Sequence, residues 1–235
     1  MKISLLMPTR KRPVNIDRIL SELEPILGDN NIELILGIDE DDDSYDRRSI
    51  EQLSGVRIVE TPKTPYLSNI YNILFEYSSG EIVGYMSDDI TFVNLSVFTH
   101  VIESFDTYGN ILYFFSPCDA PYPHCVPDHG FVTAASVRAL GFFALPNMEH
   151  GYIDHYIGRL YKETGLYVVN KTGPILHLRK TSPADETYRI KTDDTDEHGM
   201  TCDDRDKIKF NEWVEKYLQI HKDTIMSLPN THAGA

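Results

Sequence analysis

The sequence predicts an α/β fold, in which a single domain holds a mixed, mostly parallel sheet flanked by helices. In the first half of the chain, short apolar runs alternate with stretches of helical periodicity, at lengths that suit parallel crossover connections. The 235 residues are 41% hydrophobic and 25% charged, a composition typical of a globular domain. Neither an internal repeat nor a linker divides the chain, so one domain is expected.

Short apolar runs predict the strands of the first half, which are expected over residues 3–7, 33–38, 56–60 and 81–86. Apolar residues at helical spacing predict helices over 14–27 and 67–77, and Pro25 should kink the first of them or end it early. The second half is less regular. It is expected to contain helices over 95–106, 133–140, 151–164 and 206–226, strands over 111–116, 166–170 and 174–178, a loop over 117–130 and a mobile polar segment over 180–204.

The charge balance limits the class of partner. Thirty-six acidic residues against 22 basic ones give a net charge of −14. This balance disfavours broad binding to a nucleic-acid backbone, whereas acidic sites suit divalent cations, which can carry phosphates into an acidic protein. Three cysteines do not make a disulfide framework, and neither a signal peptide nor a membrane span is evident. The sequence therefore predicts a cytoplasmic protein.

Two adjacent carboxylates, Asp88 and Asp89, follow the apolar run EIVGYM (81–86), where the fourth predicted strand ends. Ligands of open α/β sheets bind outside the carboxyl ends of the strands. Neighbouring carboxylates repel each other unless a cation neutralises them, and a hard divalent ion with oxygen ligands would do so. The alternative is a structural pair that serves the following turn. A separate acidic run, DEDDDSYD (39–46), follows the second predicted strand. Its residues Asp41, Asp42 and Asp43 are expected to form a solvated turn rather than a second metal site.

Several motifs in chain order carry a family resemblance: MPTRKRP (7–13), Asp39 after LILGI, Asn72 eight residues before Gly80, EIVGYMSDDI (81–90), FVTAASVRALGFF (131–143), Asp154 in GYIDHYIGRLYKETGLYVV (151–169), and His177 in PILHL. Over roughly residues 1–180, the chain resembles the GT-A glycosyltransferases, especially the family-2-like nucleotide-sugar transferases. The resemblance implies a Rossmann-like GT-A domain with a nucleotide-sugar half (1–92) and an acceptor half (93–180). Residues 181–235 would then be a mobile polar segment and a C-terminal helix that packs on this domain.

The resemblance also implies roles for individual residues. It implies a Mn²⁺ or Mg²⁺ ion held by Asp88, Asp89 and His177. Asp154 would be the general base, with Glu149 and His150 as the fallback groups on the acceptor side. The nucleotide-binding residues would be Pro8, Thr9, Arg10, Arg12, Asp39, Asn72, Ser87 and Asp88. The chain departs from the family pattern at Met86, which stands at the first Asp of the D-x-D motif, and at Leu74, which replaces a Gly.

The predicted function is a metal-dependent glycosyltransferase that moves a sugar from a nucleoside-diphosphate donor, a UDP-sugar in the first place, to a hydroxyl acceptor. The acceptor is a saccharide or, since compact transferases of this type also occur in phages, a hydroxymethylated base in DNA. Inversion of the anomeric centre is favoured over retention. Two alternatives stay open: a nucleotidyltransferase, although MPTRKRP lacks a Gly-rich phosphate loop, and a non-catalytic nucleotide- or carbohydrate-binding module, for which Met86 in the D-x-D position is the best argument.

Overall fold

A seven-stranded sheet with the order β3-β2-β1-β4-β7-β6-β8 forms the centre of the molecule. The computed structural model describes residues 1–28, 31–115, 129–170, 175–178 and 195–229. The strands of the sheet are β1 (Ile3–Thr9), β2 (Ile32–Asp39), β3 (Val56–Thr61), β4 (Ile82–Tyr85), β6 (Leu112–Phe115), β7 (Gly130–Thr133) and β8 (Tyr167–Asn170). A separate two-stranded ribbon pairs β5 (Ile90–Phe92) with β9 (Ile175–His177).

The described helices lie on both faces of the sheet. They are α1 (Pro13–Leu23), α2 (Arg47–Glu51), α3 (Leu67–Glu76), α4 (Ser96–Tyr108), α5 (Ala134–Leu140), α6 (Ile153–Thr164) and α7 (Cys202–Ser227). Within the seven-stranded sheet, the pairs β1–β2, β1–β4, β2–β3 and β6–β8 are parallel, and β7 runs antiparallel to its neighbours β4 and β6. The predicted mixed, mostly parallel sheet flanked by helices is therefore confirmed.

Alternation along the strands creates two hydrophobic cores, one on each face of the sheet. In β1, Leu6 belongs to the core that α3, α5, α6 and α7 cover, whereas Leu5 and Met7 belong to the core under α1 and α4. In a strand, successive side chains point to opposite faces, so one apolar run supplies both cores. β1 is therefore buried on both faces, and its carboxyl end is anchored in the core.

The structure differs from the sequence prediction in four elements. Strands β5 and β7 and the short helix α2 are present but were not predicted, since each spans at most five residues. Helix α7 begins at Cys202 rather than residue 206, because Thr201 and Asp204 form a capping box there. Helix α1 ends at Leu23, two residues before Pro25, as predicted. Cys118, Cys125 and most of the predicted segments 117–130 and 180–204 lie outside the described residues.

The C-terminal helix is bonded to the loop that precedes α6. The Arg205 guanidinium donates to both carboxylate oxygens of Glu149, at 2.8 and 2.6 Å, and also to Asp196 at 3.1 Å. The ammonium group of Lys209 donates to the carbonyl oxygen of Asn147 at 2.7 Å.

None of the described helices is both long and apolar enough to cross a membrane. The domain boundary near residue 180 stays a prediction.

Replacement of a core leucine tests the position of β1. Leu5→Ala should lower the free energy of unfolding by about 2–5 kcal/mol, because Leu5 is fully buried and its loss leaves a cavity. The control Val14→Ala, at a side chain that is 76% exposed, should change this free energy by less than about 0.5 kcal/mol. Urea denaturation followed by circular dichroism measures both. Similar effects of the two substitutions would contradict a central β1.

The ion pair of Arg205 with Glu149 should make stability depend on pH. Arg205→Gln should lower the free energy of unfolding by about 1 kcal/mol at pH 7, an estimate that allows for partial solvent exposure of the pair. The hydrogen bonds from Arg205 hold the pKa of Glu149 below its usual value. Since the folded-state pKa is depressed, the stabilisation is complete above the unfolded pKa of about 4.3 and is lost as the pH falls through the folded value.

Denaturation of wild type and Arg205→Gln at a series of pH values measures this difference. The control Lys207→Gln removes a positive charge from an exposed position of the same helix and should show no such pH dependence. A difference that stayed constant from pH 7 down to pH 2 would be inconsistent with the ion pair.

Candidate active site

The candidate site lies at the carboxyl ends of β1 and β4, which are neighbours in the sheet. Thr9 is the last residue of β1, and Asp88 comes three residues after the end of β4. Between them, Met86 is fully buried in the core, and its backbone N–H still donates to Leu6 of β1. Strand pairing therefore continues to Met86 and releases the chain at Ser87 and Asp88, directly beside Thr9.

The side chains around Asp88 form a closed ring of hydrogen bonds. Arg12 donates from its guanidinium to Asp88 Oδ1 at 2.6 Å and from its backbone N–H to the Tyr45 hydroxyl at 2.9 Å. Thr9 Oγ1 donates to Asp88 Oδ2 at 2.7 Å and lies 2.8 Å from the Tyr45 hydroxyl. Because the Thr9 proton points to Asp88, Tyr45 must donate to Thr9. The ring therefore fixes both oxygens of the carboxylate in direction.

The ring is almost closed to solvent. Asp88 is only 3% exposed, and burial raises its pKa above the ordinary value, although Arg12 and Thr9 oppose this change. Burial also raises the pKa of Tyr45, which therefore remains a proton donor at neutral pH. In this structure Arg12 supplies the positive charge that a buried carboxylate requires. Arg12 is therefore a partner of the buried Asp88 and not a solvated surface base.

The backbone of the motif is held at three carbonyl groups. Arg18 of α1 donates to the carbonyl oxygens of Asp88 and Ile90, at 3.1 and 2.9 Å. The hydroxyl of Tyr71, on α3, donates to the carbonyl oxygen of Met86 at 3.0 Å. Helices on the two faces of the sheet thus hold the same turn. Such support is what a site that must keep its geometry during a reaction requires.

A second group of charges surrounds Asp39, at the end of β2. Arg10 pairs with Asp39 at 2.5 Å and makes two hydrogen bonds to Asp41, at 2.5 and 3.1 Å. Thr61 Oγ1, on β3, donates to the other oxygen of Asp39 at 3.2 Å. The structure therefore places Asp39 and Arg10 together at the end of β2, next to the ring around Asp88.

Asp42 is not the solvated acid that the sequence predicts. It is 3% exposed and accepts hydrogen bonds from the backbone N–H of Lys11 at 2.6 Å and from the hydroxyl of Ser44 at 2.7 Å. Lys11 has a φ of 53°, in the left-handed region. The hydrogen bond from Lys11 fixes the strained loop that carries Arg10 and Arg12, so Asp42 supports the site from behind. Asp43, in contrast, is exposed as predicted.

The β5–β9 ribbon brings His177 to the carboxylate motif. Its residue Ile90 pairs with His177, and the backbone N–H of Leu178 donates to the carbonyl oxygen of Asp89 at 2.7 Å. The backbone of His177 is therefore placed beside the residues that follow Asp88. For His177 the description stops at the backbone, so its predicted role as a metal ligand lies outside what is described and stays a prediction.

Asp154 lies in the first turn of α6, on the acceptor side. Its Oδ1 accepts hydrogen bonds from the backbone N–H of His155 at 2.9 Å and pairs with His155 Nδ1 at 2.8 Å. The pKa of Tyr71 is raised mainly by burial and then by the negative charges of Asp88, Asp89 and Asp154. All three carboxylates are therefore close enough to the buried Tyr71 hydroxyl to act on it through their charge. The role of Asp154 as general base stays a prediction.

Two other predicted groups have structural partners. Asn72 accepts from the backbone N–H groups of Phe143 and Ala144 at 2.8 and 2.9 Å and donates to the Ala144 carbonyl at 2.9 Å. It thus joins α3 to the acceptor-side loop, and its contact with a nucleotide stays a prediction. Glu149 is paired with Arg205, and its lowered pKa makes it a weaker base than an ordinary carboxylate.

The donor set decides which kind of metal site fits. Asp88 and Asp89 offer hard carboxylate oxygens, the type that Mn²⁺ and Mg²⁺ prefer. Among the described residues, no group of three or more His, Cys, Asp or Glu side chains is placed to hold an ion. Asp88 and Asp89 alone do not complete the shell of an ion. They fit an ion that is shared with a diphosphate, which needs only one or two protein carboxylates.

Sequence reasoning missed three residues that hold the site: Arg18, Tyr45 and Tyr71. Tyr45 carried a weak signal, since an aromatic residue within the acidic run DEDDDSYD is unusual for a solvated turn. Arg18 lies off the apolar stripe of α1 and resembles any surface base. Each of these residues contacts residues that are far away in the sequence. Such contacts cannot be inferred from local sequence patterns.

Comparison with known proteins gives structural matches only. No protein-family model matches the sequence, and no curated protein matches it. Residues 1–349 of TarS from S. aureus match with a TM-score of 0.59 and 12% identity, over 73% of this chain and 58% of that one. The chain thus spans less than two thirds of that TarS fragment.

Two other solved structures show a similar likeness. Mannosyltransferase PcManGT from Pyrobaculum calidifontis, in complex with GDP-Man and Mn²⁺, has a TM-score of 0.57 and 12% identity, over 96% of this chain and 73% of that one. Glucosyl-3-phosphoglycerate synthase from Mycobacterium tuberculosis, in complex with Mn²⁺, UDP and phosphoglyceric acid, has a TM-score of 0.53 and 17% identity, over 72% and 66%. At such identities the likeness establishes the fold alone: this chain has the GT-A fold of nucleotide-sugar transferases.

Proposed function

We propose that this chain is a glycosyltransferase that transfers a sugar from a nucleoside-diphosphate donor, a UDP-sugar in the first place, to a hydroxyl acceptor. The observation that carries the proposal is the buried ring of Thr9, Arg12, Tyr45 and Asp88 at the end of two central strands of a GT-A sheet. A carboxylate and a guanidinium fixed side by side suit a diphosphate that arrives with a divalent cation.

The residues of the nucleotide side would bind and orient the donor. Asp88 and Asp89, with His177, would hold a Mn²⁺ or Mg²⁺ ion, and this ion would act as a Lewis acid on the diphosphate leaving group. Arg12 lies beside Asp88 and would place a second positive charge on the phosphates. Asp39 would accept a hydrogen bond from the base, and Pro8 and Arg10 line the same edge. Within the described structure, the buried Ser87 hydroxyl lacks a hydrogen-bond partner, which suits a contact with the donor.

Asp154 would act as the general base. Its carboxylate would take the proton of the acceptor hydroxyl while the acceptor oxygen forms a bond to the anomeric carbon. The bond from that carbon to the diphosphate breaks, and its electron pair leaves with the nucleoside diphosphate. Attack opposite the leaving group inverts the anomeric centre. The charges of Asp88, Asp89 and Asp154 all raise the pKa of Tyr71, after burial, and this shared influence supports the arrangement.

The net charge of the protein is the main guide to the class of acceptor. A saccharide is the first choice. A hydroxymethylated base in DNA is the second, although the net charge of −14 opposes the approach of a phosphate backbone. A screen of both acceptor classes by mass spectrometry, with the donor that the enzyme hydrolyses, distinguishes them.

The two alternatives make different products. A nucleotidyltransferase would consume a nucleoside triphosphate and release pyrophosphate. A non-catalytic binding module would bind UDP without releasing it from a UDP-sugar. Met86, the argument for a degenerate motif, is fully buried in the core. The cation site therefore depends on Asp88, whatever residue precedes it.

Isothermal titration with UDP tests the shared cation. Wild type should bind UDP at least about tenfold more tightly with Mn²⁺ than without it, because the ion joins the phosphates to Asp88. Asp88→Asn should abolish this difference. The control Asp43→Asn removes an exposed carboxylate from the neighbouring acidic turn and should preserve it. If neither Mn²⁺ nor Mg²⁺ changes binding of any nucleoside diphosphate, the proposal fails.

Substitution of Asp154 tests the base. Asp154→Asn should lower kcat for UDP release from the donor by about 100-fold, since general base catalysis typically contributes this much or more. The affinity for UDP with Mn²⁺ should not change. The matched control is Asp17→Asn, at an exposed acid on α1. Near-normal turnover of Asp154→Asn would remove Asp154 from this role without removing the proposed donor site.

A further inference from the structure

Asp206 of α7 binds three successive backbone N–H groups of the turn that precedes α6. Its Oδ1 accepts from Glu149, and its Oδ2 accepts from His150 and Gly151, each at 2.8 Å. The residue is fully buried. An ionised carboxylate in the interior is unfavourable unless hydrogen bonds replace its water, and three consecutive N–H groups provide such a site.

The turn is shaped to fit α7. A Cβ atom on Gly151 would lie 2.6 Å from Asp203 Oδ1, so the turn packs directly against the first turn of α7. Tyr152, which follows it, has a φ of 59°, in the left-handed region. The carboxylate therefore stabilises a turn with an unfavourable backbone conformation.

This turn determines where α6 begins. Tyr152 is the N-cap residue of α6 and, in the described structure, makes no side-chain hydrogen bond to the helix. The turn is held instead from two sides: by Asp206 and by the backbone N–H of Leu67 on α3, which donates to the Glu149 carbonyl at 3.1 Å. Asp154 comes two residues after Tyr152. Its position relative to Asp88 is thus set by contacts with the turn.

We infer that Asp206 is a positioning residue for the acceptor site, because it holds the 149–151 turn so that Asp154 faces the reacting atoms. The inference rests on the proposed role of Asp154. It makes α7 part of the working enzyme rather than an appendage of the domain. A displacement of about 1 Å at a catalytic group can reduce a rate by up to about 100-fold, so loss of this anchor should affect turnover.

The test compares Asp206→Asn with wild type in the full chain. An asparagine keeps the size of the side chain, but its amide NH₂ group opposes a backbone N–H, so at least one hydrogen bond is lost. Asp206→Glu is a second variant, which retains the negative charge and moves the carboxylate by one methylene relative to the three N–H groups. The control Asp223→Asn lies at an exposed position of the same helix. The readouts are UDP release from UDP-glucose with Mn²⁺, the Kd of UDP with Mn²⁺, and amide hydrogen exchange of residues 149–151.

We expect Asp206→Asn to lower kcat by about tenfold, with KM for UDP-glucose and Kd for UDP unchanged within about twofold. Exchange at 149–151 should become faster. The double variant Asp154→Asn/Asp206→Asn should be no slower than Asp154→Asn, because Asp206 acts through Asp154. Asp206→Glu should also lower kcat, and Asp223→Asn should not. If Asp206 had a merely structural role, the two substitutions would lower kcat by independent factors. The loss in the double variant would then be the product of the losses in the two single variants.

Three results would overturn the inference. The first is a kcat of Asp206→Asn equal to that of wild type, and the second is multiplicative losses in the double variant. The third applies if Asp206→Asn does not fold: an Asp206→Glu variant with normal kcat would then decide against the inference. If wild type binds UDP but releases none from UDP-glucose or any other donor tested, the proposed function fails, and the positioning role fails with it.

Discussion

The pairing of one buried carboxylate with one guanidinium is the constraint on which the site depends. Asp88 leaves the sheet at the end of β4, where the parallel strands bring it beside the loop after β1. A carboxylate in that position needs a positive partner, and Arg12 provides it. The requirement explains the surrounding architecture: Tyr45 and Thr9 orient the pair, Asp42 fixes the loop of Arg12, and Arg18 holds the backbone of the motif.

The predicted acceptor side is held in a different way. Its loop is bound by helices that are far away in sequence. Asn72 of α3 binds residues 143 and 144, whereas Asp206 and Arg205 of α7 bind residues 149–151. Each half of the site is thus fixed to the core through hydrogen bonds rather than through loop rigidity. The pKa of the buried Tyr71 is raised first by burial and then by the charges of Asp88, Asp89 and Asp154. These charges therefore act on one group of the folded core.

The sequence predicts the parts of this structure that depend on local pattern. Apolar periodicity is enough for the sheet, since β1 and β2 read as continuous apolar runs, and the acids after EIVGYM locate the end of β4. Strand β7 was missed because a four-residue antiparallel strand, GFVT, leads directly into α5. Asp42 was assigned to solvent because its neighbours are acidic, but the backbone of Lys11 requires an acceptor. In the sequence, Asp206 resembles an acid that caps a helix. Only the folded structure shows that it accepts hydrogen bonds from the backbone of the 149–151 turn.

A crystal structure with UDP and Mn²⁺, with the metal located by anomalous scattering, tests the central claim most directly. The account predicts a manganese peak within about 2.0–2.6 Å of an Asp88 carboxylate oxygen, in contact with both phosphates of UDP, and Arg12 beside the same phosphates. UDP bound at this edge with no metal between its phosphates and Asp88 would contradict the account. A manganese ion bound elsewhere, with Asp88 still paired only to Arg12 and Thr9, would do the same.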